Sequence, residues 1–184
     1  PFDKIKTEHF KPAILEGIKK HEAEITAIAN SSEAPSFENT ILAMENAGEL
    51  LSKVNIVFGN LNSANTNDEL QKIAKEVSPN LAAHNDNIYL NEKLFKRVKA
   101  IWDKKESLKL NLEQAKILEN RHKAFVRSGA NLSNEDKDKL RKINAELSLT
   151  SLKYGQNILA ETNKYELVIS DRKELTGLPQ ELIN

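Results

Sequence analysis

The chain has 184 residues, 27 Lys and Arg against 27 Asp and Glu, and no cysteine. Zero formal net charge argues against a protein that takes its affinity for nucleic acid from a basic excess. Without thiols there is no disulfide framework, no thiolate metal site and no cysteine nucleophile. No apolar run approaches the roughly 20 residues that span a bilayer, and no leader pattern is visible, although the first residue is Pro1 rather than Met.

Six glycines, five prolines and an abundance of Leu, Ile, Ala, Lys and Glu suit a helical chain with few turns. The first helix is expected from Pro12, placed in its first turn where a missing N–H costs nothing, to near Asn30. Phe10, Ile14, Ile18, Ile25 and Ile28 mark its apolar face. Ser36 caps a second helix whose stripe is Phe37, Ile41, Met44, Leu51, Val54, Phe58 and Leu61, with Gly48 read as a point of close helix approach. Thr66 or Asn67 caps a third, carrying Leu70, Ile73, Val77, Leu81 and Ile88, which Pro79 is expected to kink or end.

Asn91 caps a helix with Leu94, Phe95, Val98, Ile101 and Trp102, of which Phe95 and Trp102 are assigned to the core. Asn111 caps another with Leu112, Ala115, Leu118, Phe125 and Val126, stopped by Gly129. Ser133 with Asp136 resembles a capping box and opens the longest helix, to about Asn163, with Leu140, Ile143, Leu147, Tyr154 and Ile158 as its expected buried face. At 1.5 Å per residue it would span roughly 45 Å. Tyr165 to Ile169 then alternates and is read as a possible short strand, and Gly177-Leu178-Pro179 as entry into a further helix. A lone strand cannot satisfy its own backbone groups, so the chain is expected to continue beyond Asn184. The fold class is therefore all-α, an antiparallel array of about six helices forming part of something larger.

Candidate chemistry is sparse. His9, His21, His84 and His122 include no H-E-x-x-H, the helical spacing that brings two imidazoles and a general-base carboxylate to one zinc. Scattered histidines of this kind are read as surface or capping residues. Asn65 to Glu69 lacks the central glycine and terminal glutamate of a calcium loop and reads as a helix cap. No phosphate-binding glycine loop and no nucleophile elbow is present. The basic clusters Lys104-Lys105, Arg121 to Lys123 and Lys137 to Lys142 are flanked by acids and read as solvated helix faces.

Several stretches in order carry a family resemblance. They are Ile5 to Ala13, Pro35 to Ile41, Ser63 to Leu70, Leu81 to Asn91, Phe125 to Ser133 and Leu175 to Pro179. Together they resemble the N-terminal region of bacterial peptidyl-dipeptidases (dipeptidyl carboxypeptidases), relatives of oligopeptidase A and thimet oligopeptidase. The first two are shared with the oligopeptidase A branch, and the middle ones favour the dipeptidase branch.

The resemblance implies a mostly helical, two-domain zinc metallopeptidase that releases C-terminal dipeptides from short unstructured peptides. Zinc would be held by an H-E-x-x-H and a downstream glutamate beyond Asn184, so no catalytic or metal residue is carried over to this chain, and residues lining the substrate channel are not identified. Residues 1–164 would be a helical domain in the channel wall, 165–184 the start of the next segment, and the catalytic domain of the same chain its principal partner. The implied parent is a monomer in the cytoplasm, or in the periplasm if a leader has been removed, with no nucleic acid or membrane partner; the chain alone would be inactive. The competing reading is a helical protein-interaction module without enzymatic activity.

Overall fold

The computed structural model describes residues 2–183, and every regular element among them is helical. Packing divides the chain into two units, one up to Thr150 and one from Ser151 on.

Helix α1, Phe10–Ala29, follows a short 3-10 turn and carries Pro12 in its first turn. It buries Phe10, Ile14, Gly17, Ile25 and Ala29. The segment after Ser36 is not the single helix expected. It begins as a π-turn, Phe37–Leu42, continues as α2, Ala43–Asn46, and resumes as α3, Glu49–Ala64. Gly48 sits at the break with φ 78°, a left-handed conformation that side chains beyond glycine resist. Its N–H donates to Glu24 Oε2 at 2.7 Å. The expected close approach is present, but to a ring: a Cβ on Gly48 would stand 2.7 Å from His21 Nδ1. The helix-on-helix approach belongs instead to Gly17, where a Cβ would meet the Leu51 Cα at 2.9 Å.

Helix α4, Asp68–Tyr89, is capped by Asn67, whose Oδ1 accepts from Leu70 N–H at 2.9 Å. It passes through Pro79 as one element, so the expected stop is absent. The lost backbone bond is outweighed by the face that the helix buries on both sides of Pro79, with Leu70, Ile73, Ala74 and Val77 before it and His84 and Ile88 after. Helix α5, Glu92–Trp102, starts at the Asn91 cap, and α6, Leu112–Arg127, at a reciprocal cap between Asn111 and Gln114. Gly129, φ 94°, follows the end of α6. Leu118 and Phe125 are buried as expected, but Leu112, Ala115 and Val126 are exposed.

The main core joins α1, the π-turn, α2, α5 and α6 through Ile25, Phe37, Ile41, Met44, Leu94, Val98, Ile101, Leu118 and Phe125. At roughly 1.5–3 kcal/mol for each fully buried large apolar side chain, this cluster is the chief stabilising term. Phe125 is closed in by the rings of Tyr89 at 5.1 Å and Phe95 at 5.7 Å. Beside it the buried Arg97 guanidinium donates to Ser31 O, Glu33 O, Asn39 Oδ1 and Thr40 Oγ1 at 2.9–3.2 Å. One α5 side chain thereby fixes the connector between α1 and the π-turn.

Helix α7, Asn134–Lys164, opens where Ser133 Oγ accepts from Asp136 N–H at 3.1 Å. Of its expected apolar face only Leu140 is partly covered, beside Gly129; the rest is exposed, contrary to expectation. Ile143 and Leu147 are 59% and 57% exposed, and Tyr154 and Ile158 are 68% and 50% exposed. In the first unit α7 meets its neighbours with its polar face instead. Lys137 pairs with Glu92 at 3.5 Å, Arg141 Nη1 donates to Asn87 Oδ1 at 2.9 Å, Asn144 Nδ2 to Asp86 Oδ1 at 2.7 Å, and Ser78 Oγ to Ser148 O at 3.4 Å. Within the first unit the part of this face that carries Ile143 and Leu147 stays open.

The expected strand at 165–169 is absent, and Tyr165, Leu167 and Val168 are exposed. An extended segment becomes a strand only when a neighbour takes up its backbone groups, and the described residues offer none. The turn at Gly177 and entry at Pro179 do lead into a helix, α8, Gln180–Ile183.

Candidate functional site

Five helices, α1 to α4 and α6, surround a cavity of about 460 Å³ in the first unit. From α1 come His21 and Ile25, from α2 Met44 and Glu45, from α4 His84 and Tyr89, and from α6 Arg121. Arg121 bridges the mouth: its Nε donates to Glu45 Oε1 and its Nη1 to Tyr89 Oη, both at 3.1 Å, and its Nη2 also contacts Glu45 Oε1.

His21 and His84, 63 residues apart, meet at this cavity. His84 Nε2 and His21 Nδ1 are 3.0 Å apart, with the rings edge-to-face at 4.8 Å. His84 is 5% exposed, and its Nδ1 has no hydrogen bond within ordinary geometry. The group facing that nitrogen is Glu22 Oε1, at 3.5 Å. Glu22 Oε1 accepts from Asn87 Nδ2 at 3.2 Å, and Asn87 is in turn held by Arg141. A polar chain therefore runs from α7 through α4 and α1 to the cavity. Burial holds the His21 imidazole below its ordinary value of 6.5, with His84 and Arg121 acting in the same direction and Glu24 and Glu22 opposing.

Three of the four histidines thus differ from the expected surface and cap roles. His9 does serve a cap, accepting from Lys6 N–H at 3.2 Å on Nδ1. His122 instead stacks on Trp102 at 4.6 Å with planes 4° apart, and Lys105 Nζ sits 4.3 Å over the same indole. Trp102 is consequently half-buried, while Phe95 is in the core as expected. The basic clusters are only partly solvated, since Lys137 is buried against Glu92 and Arg121 is paired with Glu45. Asn67 acts as a helix cap, the reading given to the Asn65 to Glu69 stretch. No signal in the sequence pairs His21 with His84, because the contact depends on how α1 lies on α4.

Among the described residues no group of three or more His, Asp or Glu side chains stands together as metal ligands would. The two imidazoles that meet direct their facing nitrogens at each other, which does not fit a zinc centre. Among the same residues no helix is long and apolar enough to cross a membrane.

No protein-family model matches the chain. It is 42% identical over 182 residues to dipeptidyl carboxypeptidase of Escherichia coli (strain K12), a match covering 99% of this chain and 27% of that protein. It is 28% identical over 179 residues to probable cytosolic oligopeptidase A of Arabidopsis thaliana, covering 97% and 25%. It is 27% identical over 180 residues to oligopeptidase A of Haemophilus influenzae, covering 98% and 26%. The chain spans about a quarter of the length of the curated relatives it matches.

Proposed function

From the premise that this chain belongs to the dipeptidyl carboxypeptidase and oligopeptidase A family, we propose that it is the N-terminal, non-catalytic part of a longer peptidase. The observation that carries this reading is the match itself, nearly complete along this chain and about a quarter complete along its relatives. The parent releases dipeptides from the C-termini of short unstructured peptides, and these helices form part of the wall or lid of its substrate channel. Their work is steric, admitting extended peptides and refusing folded ones. Zinc in the parent would supply an activated water and would be held by residues outside this chain, since no group of three or more metal-ligating side chains stands together among the described residues. The same reading makes the parent a monomer of the cytoplasm, or of the periplasm if a leader has been removed.

The exposed face of α7 supports the same reading. Ile143 and Leu147, with Tyr154 and Ile158 further along, are the kind of apolar residues that an adjoining domain covers.

The test compares two proteins. The full-length product is expected to release C-terminal dipeptides in a chelator-sensitive reaction, and the 184-residue chain to release none. Chelator-sensitive dipeptide release by the chain alone, with tightly bound stoichiometric zinc, would overturn the assignment. A gene without H-E-x-x-H downstream of Asn184 would favour the interaction module instead.

A further inference from the structure

The peptidase reading gives His84 no task, yet its ring is buried with its two nitrogens facing two different titratable groups. Nδ1 faces the Glu22 carboxylate at 3.5 Å, and Nε2 faces His21 Nδ1 at 3.0 Å. An ionised carboxylate only accepts, so the favourable tautomer of His84 carries its proton on Nδ1. In neutral His84 the lone pair is then on Nε2, and His21 Nδ1 is the donor across the 3.0 Å contact. That leaves the lone pair of His21 on Nε2, a nitrogen with no hydrogen bond among the described residues, on a side chain that lines the cavity.

We propose that Glu22, His84 and His21 form a proton-binding relay that ties α1 to α4 and is loaded from the cavity. A proton arriving on His21 Nε2 converts that ring to an imidazolium. Its Nδ1 proton passes to His84 Nε2, and His21 Nδ1 becomes the acceptor. One proton is gained, only N–H bonds are made and broken, and the positive charge rests on His84 between the Glu22 carboxylate and the His21 nitrogen. The contact between the helices changes from a neutral to a charge-assisted hydrogen bond and strengthens. A second proton, on His21, removes the acceptor and sets two like charges in contact, which releases the tie.

The surroundings separate the two steps. Glu22 and Glu24 face the pair from α1, with Glu24 engaged by Gly48 N–H. Arg121 from α6 opposes a charge on His21 and is itself paired with Glu45 of α2. Arg141 of α7 reaches Glu22 through Asn87 of α4. Leu51 and Asn55 of α3 and Tyr89 of α4, whose Oη accepts from Arg121, also line the cavity. Gly48 leaves the room that the His21 ring occupies.

The experiment is a nitrogen NMR titration of the chain labelled in its four histidines. Above neutral pH, His84 is expected to show a protonated Nδ1 and a bare Nε2, with a scalar coupling from Nε2 to His21 Nδ1. On acidification the first proton is expected to appear on His84 Nε2. Glu22→Gln is expected to weaken that first uptake about tenfold, since it removes the facing charge and keeps an acceptor oxygen. A bare Nδ1 on His84 above neutral pH, or a first charge that stays on His21, overturns the proposal. So does uptake in Glu22→Gln within twofold of the parent chain. If that variant does not fold, the tautomer and coupling in the unaltered chain decide alone.

Discussion

Arg97 Nε donates to Thr40 Oγ1 at 3.2 Å, and neither residue meets solvent to any extent, at 7% and 0% exposure. The guanidinium finds no carboxylate there. Its other donors go to Ser31 O, Glu33 O and Asn39 Oδ1, so a fixed charge is solvated wholly by neutral oxygens. Removing it leaves several buried acceptors unpaired at about 1–3 kcal/mol each when relaxation and water do not rescue them. Arg97→Met is therefore expected to lower the unfolding free energy by about 3 kcal/mol in urea titrations. Arg97→Lys should recover less than half, because one ammonium cannot reproduce the planar fork. A loss below about 1 kcal/mol for the methionine variant would show that the connector holds without it.

Two helical glycines make opposite predictions. Alanine at Gly17 places a methyl 2.9 Å from the Leu51 backbone, where only a shift of α1 against α3 relieves it. Overpacking of about 1–3 kcal/mol then exceeds the roughly 1 kcal/mol gained in helix propensity. Alanine at Gly59 meets nothing within 4 Å and should stabilise the chain by up to about 1 kcal/mol. Thermal melts of the two variants should therefore move in opposite directions; equal shifts would mean that the α1–α3 spacing is loose.

Acidification should destabilise the chain through His21 and His122. Burial lowers both imidazoles from 6.5, aided at His122 by Lys99. With folded values below the unfolded one, their stabilising contribution is complete above about pH 6.5 and is lost as pH falls through the folded values. Once the His84–His21 pair has taken up its first proton, denaturant midpoints are expected to decline as pH falls through the folded values of His21 and His122. His122→Phe keeps a ring against Trp102 and should flatten part of that decline. A decline just as steep in His122→Phe contradicts the contribution assigned to His122.

The outward face of α7 separates a free surface from a covered one. Ile143→Glu and Leu147→Glu should change the stability of the 184-residue chain by no more than about 0.5 kcal/mol, since both side chains are already exposed. In the full-length parent the same changes should cost at least about 2 kcal/mol or abolish soluble expression, because a buried unpaired charge is far more expensive. Equal tolerance in both proteins would mean that no adjoining domain rests there.

Much of the fold was legible because it is local. The caps at Ser36, Asn67, Asn91, Asn111 and Ser133 are each read from a polar side chain placed next to an apolar-periodic run, and all five accept the expected N–H. The faces of α1, α4 and α5 follow from spacing alone. The break at Gly48 was missed because helical periodicity continues across it, while what fixes it is distant: Glu24 on its N–H and the ring of His21 beside it. The α7 face was misassigned because apolar periodicity says which side seeks cover, not whether cover is present. The histidine pair lay beyond sequence reading altogether, since His21 and His84 share no local pattern and meet only through the packing of two helices.

The inner side of α7 has a mechanical consequence. A greased surface lets a helix slide and re-seat with little penalty, whereas each pair along this one matches only its own counterpart: Lys137 with Glu92, Arg141 with Asn87, Asn144 with Asp86. Displacement by a single turn, about 5.4 Å, would mismatch all three at once. The helix is keyed like a toothed bar, with one permitted setting, and whatever rests on its outer side inherits that alignment.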